Sequence, residues 1–145
     1  YVQSMTDVNA HGTMNMILSC YPYLKKSSIG HVLTISPPLT TLEVRWISPH
    51  PPYTMSKYAV TMLTLGYSDQ LRANTLWPEK LLKTAATKMI EKRTGVPAYS
   101  RGGSPHRFAD AVHSILCSDL TGQSLLDSDL DPNFVDENGV NDIFI

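Results

Sequence analysis

Residues 31–35, His-Val-Leu-Thr-Ile, are followed by Ser36, Pro37 and Pro38, and this stretch decides the fold. It is a short run of β-branched and apolar residues that the prolines stop, which predicts a buried strand. Residues 4–26, which precede it, repeat apolar side chains at helical spacing and predict a long helix, with Pro22 near its end. A strand preceded and followed by helices is typical of a parallel α/β sheet.

The same alternation continues downstream of the strand. Residues 39–52 are predicted to be irregular, and residues 53–72 to form a second long helix with Pro52 near its start. The remaining predictions, in chain order, are a strand over residues 73–77, a helix over 79–92, a glycine-containing loop over 94–104, a helix opened by Ser104 and Pro105, and a strand over 124–126. The sequence therefore predicts an α/β parallel sheet with helices on both faces.

The composition narrows the class of protein. A chain of 145 residues with 42% hydrophobic and 17% charged residues suits one soluble globular domain. Its net charge of -1 gives no electrostatic reason to expect nucleic acid or an anionic membrane as a partner. Cys20 and Cys117 lie far apart in apolar helical patterns, so we expect buried thiols in a reducing compartment. With no leader-like segment and no apolar run near the ~18 residues that cross a bilayer, the predicted location is cytoplasmic or an organelle matrix.

One pair of side chains suggests acid–base chemistry. Tyr53 and Lys57 lie four residues apart in a predicted helix, so a phenol and an ammonium share one face. A free tyrosine titrates near pH ~10 and exchanges protons at neutral pH only if a positive charge stabilises its phenolate. Lys57, together with a bound cofactor, could supply that charge. The spacing alone is a weak signal and needs the right structural context.

Several segments in the same order resemble the C-terminal half of the short-chain dehydrogenase/reductase family, and most closely its hydroxysteroid dehydrogenase-like group. These segments are Asp7-Val8-Asn9-Ala10-His11-Gly12-Thr13, Tyr23-Leu24-Lys25-Lys26, residues 31–38, Tyr53-Thr54-Met55-Ser56-Lys57-Tyr58, Ala73-Asn74-Thr75-Leu76-Trp77-Pro78, Thr84-Ala85-Ala86 and Thr121-Gly122-Gln123. The resemblance implies the C-terminal half of a Rossmann-like doubly wound parallel sheet. It implies a partial domain over residues 1–130, without the nucleotide-binding half, and an irregular tail over 131–145.

The resemblance also implies an activity and its residues. Tyr53 matches the family's general acid/base, Lys57 the lysine that lowers the tyrosine pKa and binds the nicotinamide ribose, and Asn9 the asparagine that supports a proton-relay water. Pro78 and Thr84 match the segment that contacts the nicotinamide end of the cofactor. The implied cofactor is NAD or NADP, with NADP favoured, and the implied substrate is a small carbonyl compound or alcohol.

Three departures from the family's pattern are visible. The glycine-rich phosphate loop has no counterpart in the chain, since Gly102 and Gly103 follow no predicted strand. The catalytic serine of many members aligns with Pro37, which leaves Ser36 as the nearest hydroxyl for an oxyanion. Glu79 stands where members usually have glycine, and the connection between the tyrosine helix and the next strand is short.

Other candidate sites favour structural interpretations. No two histidines share i,i+3 or i,i+4 spacing on one helix, so we expect structural or surface roles rather than a metal site for His11, His31, His50, His106 and His113. Asp127 to Asp131 lacks the glycine and glutamate of a calcium loop and is predicted to be a solvated acidic turn. Methionines on the two long helices suit core or interface packing, which predicts a homodimer or homotetramer through these helices.

Three functions stay open at this stage. The preferred one is an NAD(P)-dependent oxidoreductase that interconverts a carbonyl and an alcohol. The second is a non-catalytic scaffold or dimerisation fragment that has lost nucleotide binding, supported by the missing phosphate loop and by Pro37. The third is an epimerase or lyase on the same scaffold that retains a nicotinamide.

Overall fold

The computed structural model describes residues 2–130 and contains a parallel sheet of three strands. The strands are β1 (His31–Ile35), β2 (Arg72–Trp77) and β3 (Ser124–Leu126), in the order β1-β2-β3. Ile35 is the register partner of Leu76, and Trp77 that of Leu126. The predicted α/β parallel sheet is confirmed, whereas the predicted tail over 131–145 lies outside the described residues.

Helices cover both faces of this sheet, as the sequence predicted. They are α1 (Val2–Thr6), α2 (Gly12–Leu24), α3 (Val44–Ile47), α4 (Pro51–Gly66), α5 (Ala85–Thr94) and α6 (Pro105–Leu116). On one face Leu33 and Leu76 pack with Ala111 and Ile115 of α6. Because successive strand residues point to opposite faces, Thr34 lies on the other face, where it contacts Thr64 of α4.

The first predicted helix is continuous but not uniform. Between α1 and α2 the residues Asp7–His11 form a π-helical turn, closed by a hydrogen bond from the amide of Gly12 to the carbonyl of Asp7. Apolar spacing predicts the helix but not this turn, because one extra residue shifts the following side chains without changing their type. Pro22 lies in the last turn of α2, which ends at Leu24.

Several element boundaries differ from the prediction. The segment predicted to be irregular contains a 3-10 turn, Leu39–Thr41, and the short α3. The second long helix ends at Gly66, and Arg72 already belongs to β2, where its guanidinium donates to the carbonyls of Ser28, Gly30 and Ser118. These contacts join the turns before β1 and after α6, so the tertiary structure decides where α4 ends.

The helix predicted over residues 79–92 is correct only in its second half, because α5 begins at Ala85. The preceding backbone is bonded elsewhere: the amide of Glu79 donates to Asp127 at 2.8 Å, and the amide of Lys83 donates to the carbonyl of Gly103 at 3.0 Å. Thr84 then starts α5 with a capping box. The acidic turn is a 3-10 turn, Asp127–Leu130, which takes part in these contacts.

The prediction of two buried thiols is wrong. Cys117 is exposed, and Cys20 is half-buried. Cys117 follows the last residue of α6, where the helix leaves the sheet, so its apolar neighbours in sequence do not enclose it. In residues 2–130 no helix is long and apolar enough to cross a membrane.

Candidate active site

Lys57 reaches the carboxyl end of β1. It lies one turn after Tyr53 on α4, and its Nζ donates a hydrogen bond of 3.1 Å to the carbonyl oxygen of Ile35, the last residue of that strand. In open parallel sheets ligands bind outside the carboxyl ends of the strands. The helix therefore presents the ammonium of Lys57 at the edge of the sheet where a ligand would bind, with Tyr53 one turn earlier on the same helix.

The ammonium of Lys57 also lies near the end of β2. Its Nζ is 5.9 Å from the centre of the Trp77 ring, and both residues are half-buried. Burial disfavours the charged form and lowers the pKa of Lys57. Trp77, the last residue of β2, was not predicted to be a site residue from the sequence, because a tryptophan at a strand end is ordinarily packing.

Tyr53 stands at the surface of this edge, with 41% of its area exposed. The part of the phenol that packs against the protein loses water, and this burial raises the pKa of Tyr53. The expectation that Lys57 lowers this pKa is therefore not met by the ammonium in its present position. In this arrangement Tyr53 is a protonated phenol at neutral pH and is suited to donate a proton.

Asn9 lies in the π-helical turn and connects the first helix to α4. Its Nδ2 donates to Oγ of Ser56 at 2.9 Å, and Ser56 in turn donates to the carbonyl of Tyr53 at 2.8 Å. Ser56 is buried and was not singled out from the sequence. Through it, the structure brings Asn9 into contact with the backbone that carries Tyr53.

Ser36 is fully buried and points toward α4 rather than into solvent. Its Oγ lies 3.3 Å from Oγ1 of Thr34, which lies 2.8 Å from Oγ1 of Thr64, and Thr64 donates to the carbonyl of Val60. A hydroxyl has one proton, and with that of Thr64 donated to Val60 the chain is completed when Thr34 donates to Thr64 and Ser36 to Thr34. The proton of Ser36 is thus committed inside the protein, which argues against the predicted oxyanion role.

Pro37 is buried beside Ser36 and has a packing role. Its carbonyl accepts a 2.7 Å hydrogen bond from Oγ1 of Thr61 on α4. A proline has neither an amide proton nor a polar side chain. The position that resembles the family's catalytic serine therefore offers no donor to a ligand.

Pro78 and Glu79 follow directly on β2, at the same end of the sheet as Lys57. The backbone amide of Glu79 is held by Oδ1 of Asp127, after β3. Oε2 of the Glu79 side chain is buried and has no hydrogen-bond partner in the described part of the chain. A buried carboxylate oxygen thus lies at the position where the resemblance implies a glycine.

The hydrogen bonds described for Thr84 do not connect it to Tyr53, Lys57 or Glu79. Its hydroxyl accepts from the amide of Thr87 at 3.3 Å, and its own amide donates to Oγ1 of Thr87 at 2.9 Å. These are the two bonds of the capping box that starts α5. Thr84 thus has a structural role as the cap of α5, and its predicted contact with the cofactor stays a prediction.

The arrangement fits one half of a nicotinamide dinucleotide. Lys57 uses one of the three donors of an ammonium on Ile35 and keeps two for ribose hydroxyls. For the phosphates, by contrast, no glycine-rich turn follows a strand between residues 2 and 130. Gly102 and Gly103 instead pack a loop: a Cβ on Gly102 would lie 2.8 Å from the carbonyl of Leu81, to which Gly103 donates.

The described residues contain no group of three or more histidine, cysteine, aspartate or glutamate side chains that could hold a metal ion. Of the five histidines, His31 has a structural contact, since its Nε2 accepts from Nδ2 of Asn74 at 2.7 Å.

Comparison with known proteins finds relatives of this chain. The chain is 36% identical over 148 residues to hydroxysteroid dehydrogenase-like protein 2 of Xenopus laevis, an alignment that covers 98% of this chain and 34% of the relative. No family model matches the chain. The chain spans about a third of the length of the curated relatives it matches.

Two crystal structures share the fold. One is a protein from Xanthomonas campestris assigned as a dehydrogenase, with a TM-score of 0.77 and 30% identity over 89% of this chain and 48% of that one. The other is a short chain dehydrogenase from Mycobacterium thermoresistibile, with a TM-score of 0.75 and 34% identity over 89% of this chain and 47% of that one. The described sheet and helices thus correspond to about half of each solved chain.

Proposed function

We propose that this chain carries the proton-transfer half of an oxidoreductase that interconverts a carbonyl and an alcohol. Two findings support the proposal: the chain is a homologue of hydroxysteroid dehydrogenase-like protein 2, and it shares its fold with solved dehydrogenases. The observation that supports this most is the position of the Tyr53 and Lys57 pair. Lys57 is anchored on Ile35 at the carboxyl end of β1, and Tyr53 is exposed one turn before it.

Each residue has a proposed role. Tyr53 donates its phenolic proton to the oxygen of a carbonyl substrate, or accepts a proton from an alcohol in the opposite direction. Lys57 binds the nicotinamide ribose and stabilises the phenolate once a ligand has drawn it toward Tyr53. Asn9, held by Ser56, orders the proton path behind the tyrosine. A bound nicotinamide would supply the hydride chemistry.

Finer parts of the proposal come from the family resemblance. NADP is the cofactor form we favour, with Pro78 and Thr84 near its nicotinamide end and a small carbonyl or alcohol as substrate. A cytoplasmic or organelle-matrix location stays the prediction. Self-association through the two long helices is supported by an apolar groove of about 500 Å³ between them, lined by Ala10, Met14, Ala59, Met62 and Leu63 among others.

The first test replaces Tyr53 with Phe in the protein expressed from its full coding sequence. We expect reduction of a simple α-diketone by NADPH to slow by about 10²-fold or more, with cofactor affinity nearly unchanged, because only the exchangeable proton is lost. Tyr23→Phe, which removes the hydroxyl of an exposed tyrosine on α2, is the matched control and should leave the rate unchanged. Full turnover in Tyr53→Phe would remove this residue from the mechanism.

A non-catalytic scaffold is the second candidate. The observation in its favour is the pair of positions after β1: the proton of Ser36 is committed to Thr34, and Pro37 offers no donor. A wild-type protein that binds NADPH but reduces no carbonyl compound, with Tyr53→Phe silent in every assay, would favour this candidate.

A further inference from the structure

Trp77 is the last residue of β2, and its side chain lies on the face of the sheet that α4 covers. Leu76, its neighbour, packs against α6 on the opposite face, and alternation along the strand turns Trp77 toward α4. The ring is half-buried at the carboxyl end of the strand. A tryptophan in this place does more than fill the core, because one part of it faces the edge where a ligand would bind.

The indole face lies near a cation. Nζ of Lys57 is 5.9 Å from the centre of the Trp77 ring, within the range in which the negative face of an aromatic ring attracts an ammonium. On its other side, Nζ donates to the carbonyl of Ile35. The ammonium is therefore held between the ends of two neighbouring strands, by a carbonyl dipole and by a ring quadrupole.

Neither of these two partners carries a full negative charge. A carboxylate in the place of Trp77 would neutralise Lys57 and would disfavour a phenolate on Tyr53. The ring attracts the ammonium without neutralising it and without taking up an N–H donor as a carbonyl does. Lys57 thus keeps its charge for Tyr53 and two donors for a ligand.

We propose that Trp77 is a positioning residue, which holds the ammonium of Lys57 in its charged form at the carboxyl ends of β1 and β2. The catalytic meaning of this role rests on the proposed function, whereas the contact itself can be measured without turnover. Burial lowers the pKa of Lys57, and the ring opposes this effect because it stabilises only the protonated form.

The test uses the 145-residue chain with lysine labelled with 13C at Cε and observed by NMR. In the wild type, ring currents should shift the ε protons of Lys57 upfield, and these protons should show cross-relaxation with the indole of Trp77. Trp77→Leu keeps an apolar side chain but removes the ring, so the pKa of Lys57 should fall by about half a pH unit or more. Trp77→Phe keeps an aromatic face and should give a smaller fall.

The chain offers a matched control. Nζ of Lys88, on α5, lies 5.7 Å from the centre of the Tyr99 ring. The ε protons of Lys88 should keep their chemical shifts in both Trp77 variants, whereas Tyr99→Leu should remove their upfield ring-current shift and leave the Lys57 signals unchanged. This reciprocal pattern separates the ring's own effect from a general loss of structure.

Two outcomes would overturn the proposal: absence of cross-relaxation between Lys57 and the indole in the wild type, or an unshifted titration of Lys57 in a folded Trp77→Leu chain. If Trp77→Leu does not fold, the proposal is tested by the cross-relaxation in the wild type and by the titration of Lys57 in Trp77→Phe. A silent result would reject Trp77 as a positioning residue and leave the oxidoreductase proposal to stand or fall on Tyr53→Phe.

Discussion

The phenol of Tyr53 shows how far a residue's chemistry depends on its immediate surroundings. The four-residue spacing to Lys57 suggested a lowered pKa, but burial is the cause that acts on the phenol here, and it raises the pKa. The ammonium is engaged with Ile35 and Trp77 instead. Placing the pair on one helix face was possible from the sequence, whereas the direction in which the lysine reaches was not, because its two partners come from different strands.

The raised pKa of Tyr53 predicts the outcome of a pH titration. In the protein without nucleotide, Tyr53 should titrate above the ordinary value of ~10, because burial disfavours the phenolate. Its folded pKa is then higher than its unfolded pKa, so its contribution to the free energy of unfolding is complete below pH ~10 and is lost as the pH rises through the folded pKa. NMR of tyrosine labelled with 13C at Cζ measures the titration, with Tyr53→Phe to assign the signal. A titration below pH 10 would contradict the structure.

Ser36 gives a second prediction at this scale. Replacing it with Ala removes a buried hydroxyl whose proton serves Thr34, so the free energy of unfolding in urea should fall by about 1 kcal/mol. Turnover should change little, whereas loss of an oxyanion donor would cost about 10²-fold. Thr34→Val is the matched control, since it interrupts the same chain of hydroxyls one layer deeper. A loss of turnover in Ser36→Ala alone would restore the oxyanion role.

At the scale of elements, the sheet and most helices could be predicted because their signals are local. Apolar spacing marks α2 and α4, β-branched residues mark β1, and Ser104 with Pro105 marks the start of α6. The start of α5 could not be predicted in the same way. The amides of Glu79 and Lys83 bond to Asp127 and Gly103, and contacts over such distances in sequence leave no periodic signal.

The π-helical turn is the element on which the position of Asn9 depends. Such turns are rare and occur frequently at functional sites, and here one lets Asn9 reach Ser56 on α4. Asn9→Ala and Ser56→Ala should each lower the free energy of unfolding by about 1 kcal/mol. Because they remove the same hydrogen bond, the double variant should lose clearly less than the sum.

Chemical denaturation of the four proteins measures this coupling. Gln70→Ala is a suitable comparison, because it removes another contact between the first helix and the region after α4, the one from Tyr21. The losses in free energy of unfolding caused by Gln70→Ala and by Asn9→Ala should add in the double variant. Full additivity of Asn9→Ala with Ser56→Ala would mean that the bond between them contributes nothing to joining the two helices.

At the scale of the whole molecule, the described sheet offers groups for one end of a dinucleotide only. Tyr53, Lys57 and Glu79 lie at or next to the carboxyl ends of β1 and β2, whereas residues 2–130 contain no glycine-rich turn after a strand. The alignments cover about a third of the curated relatives and about half of the solved chains. Residues 2–130 therefore lack the contacts that usually hold the pyrophosphate in this fold.

This division predicts how the 145-residue chain binds its ligand. Reduced nicotinamide mononucleotide and NADPH should bind with nearly the same affinity, in the range of about 1 mM. The reason is that residues 2–130 offer no glycine-rich turn to the adenosine half of NADPH, so that half adds few contacts to offset the entropy of binding. Saturation-transfer NMR measures both ligands, and Lys57→Met should weaken both by the same factor, since it removes a ribose contact that they share. Micromolar binding of NADPH with a weakly bound mononucleotide would show that the adenosine half has a site on this chain, and that the sheet holds a whole dinucleotide rather than its nicotinamide end.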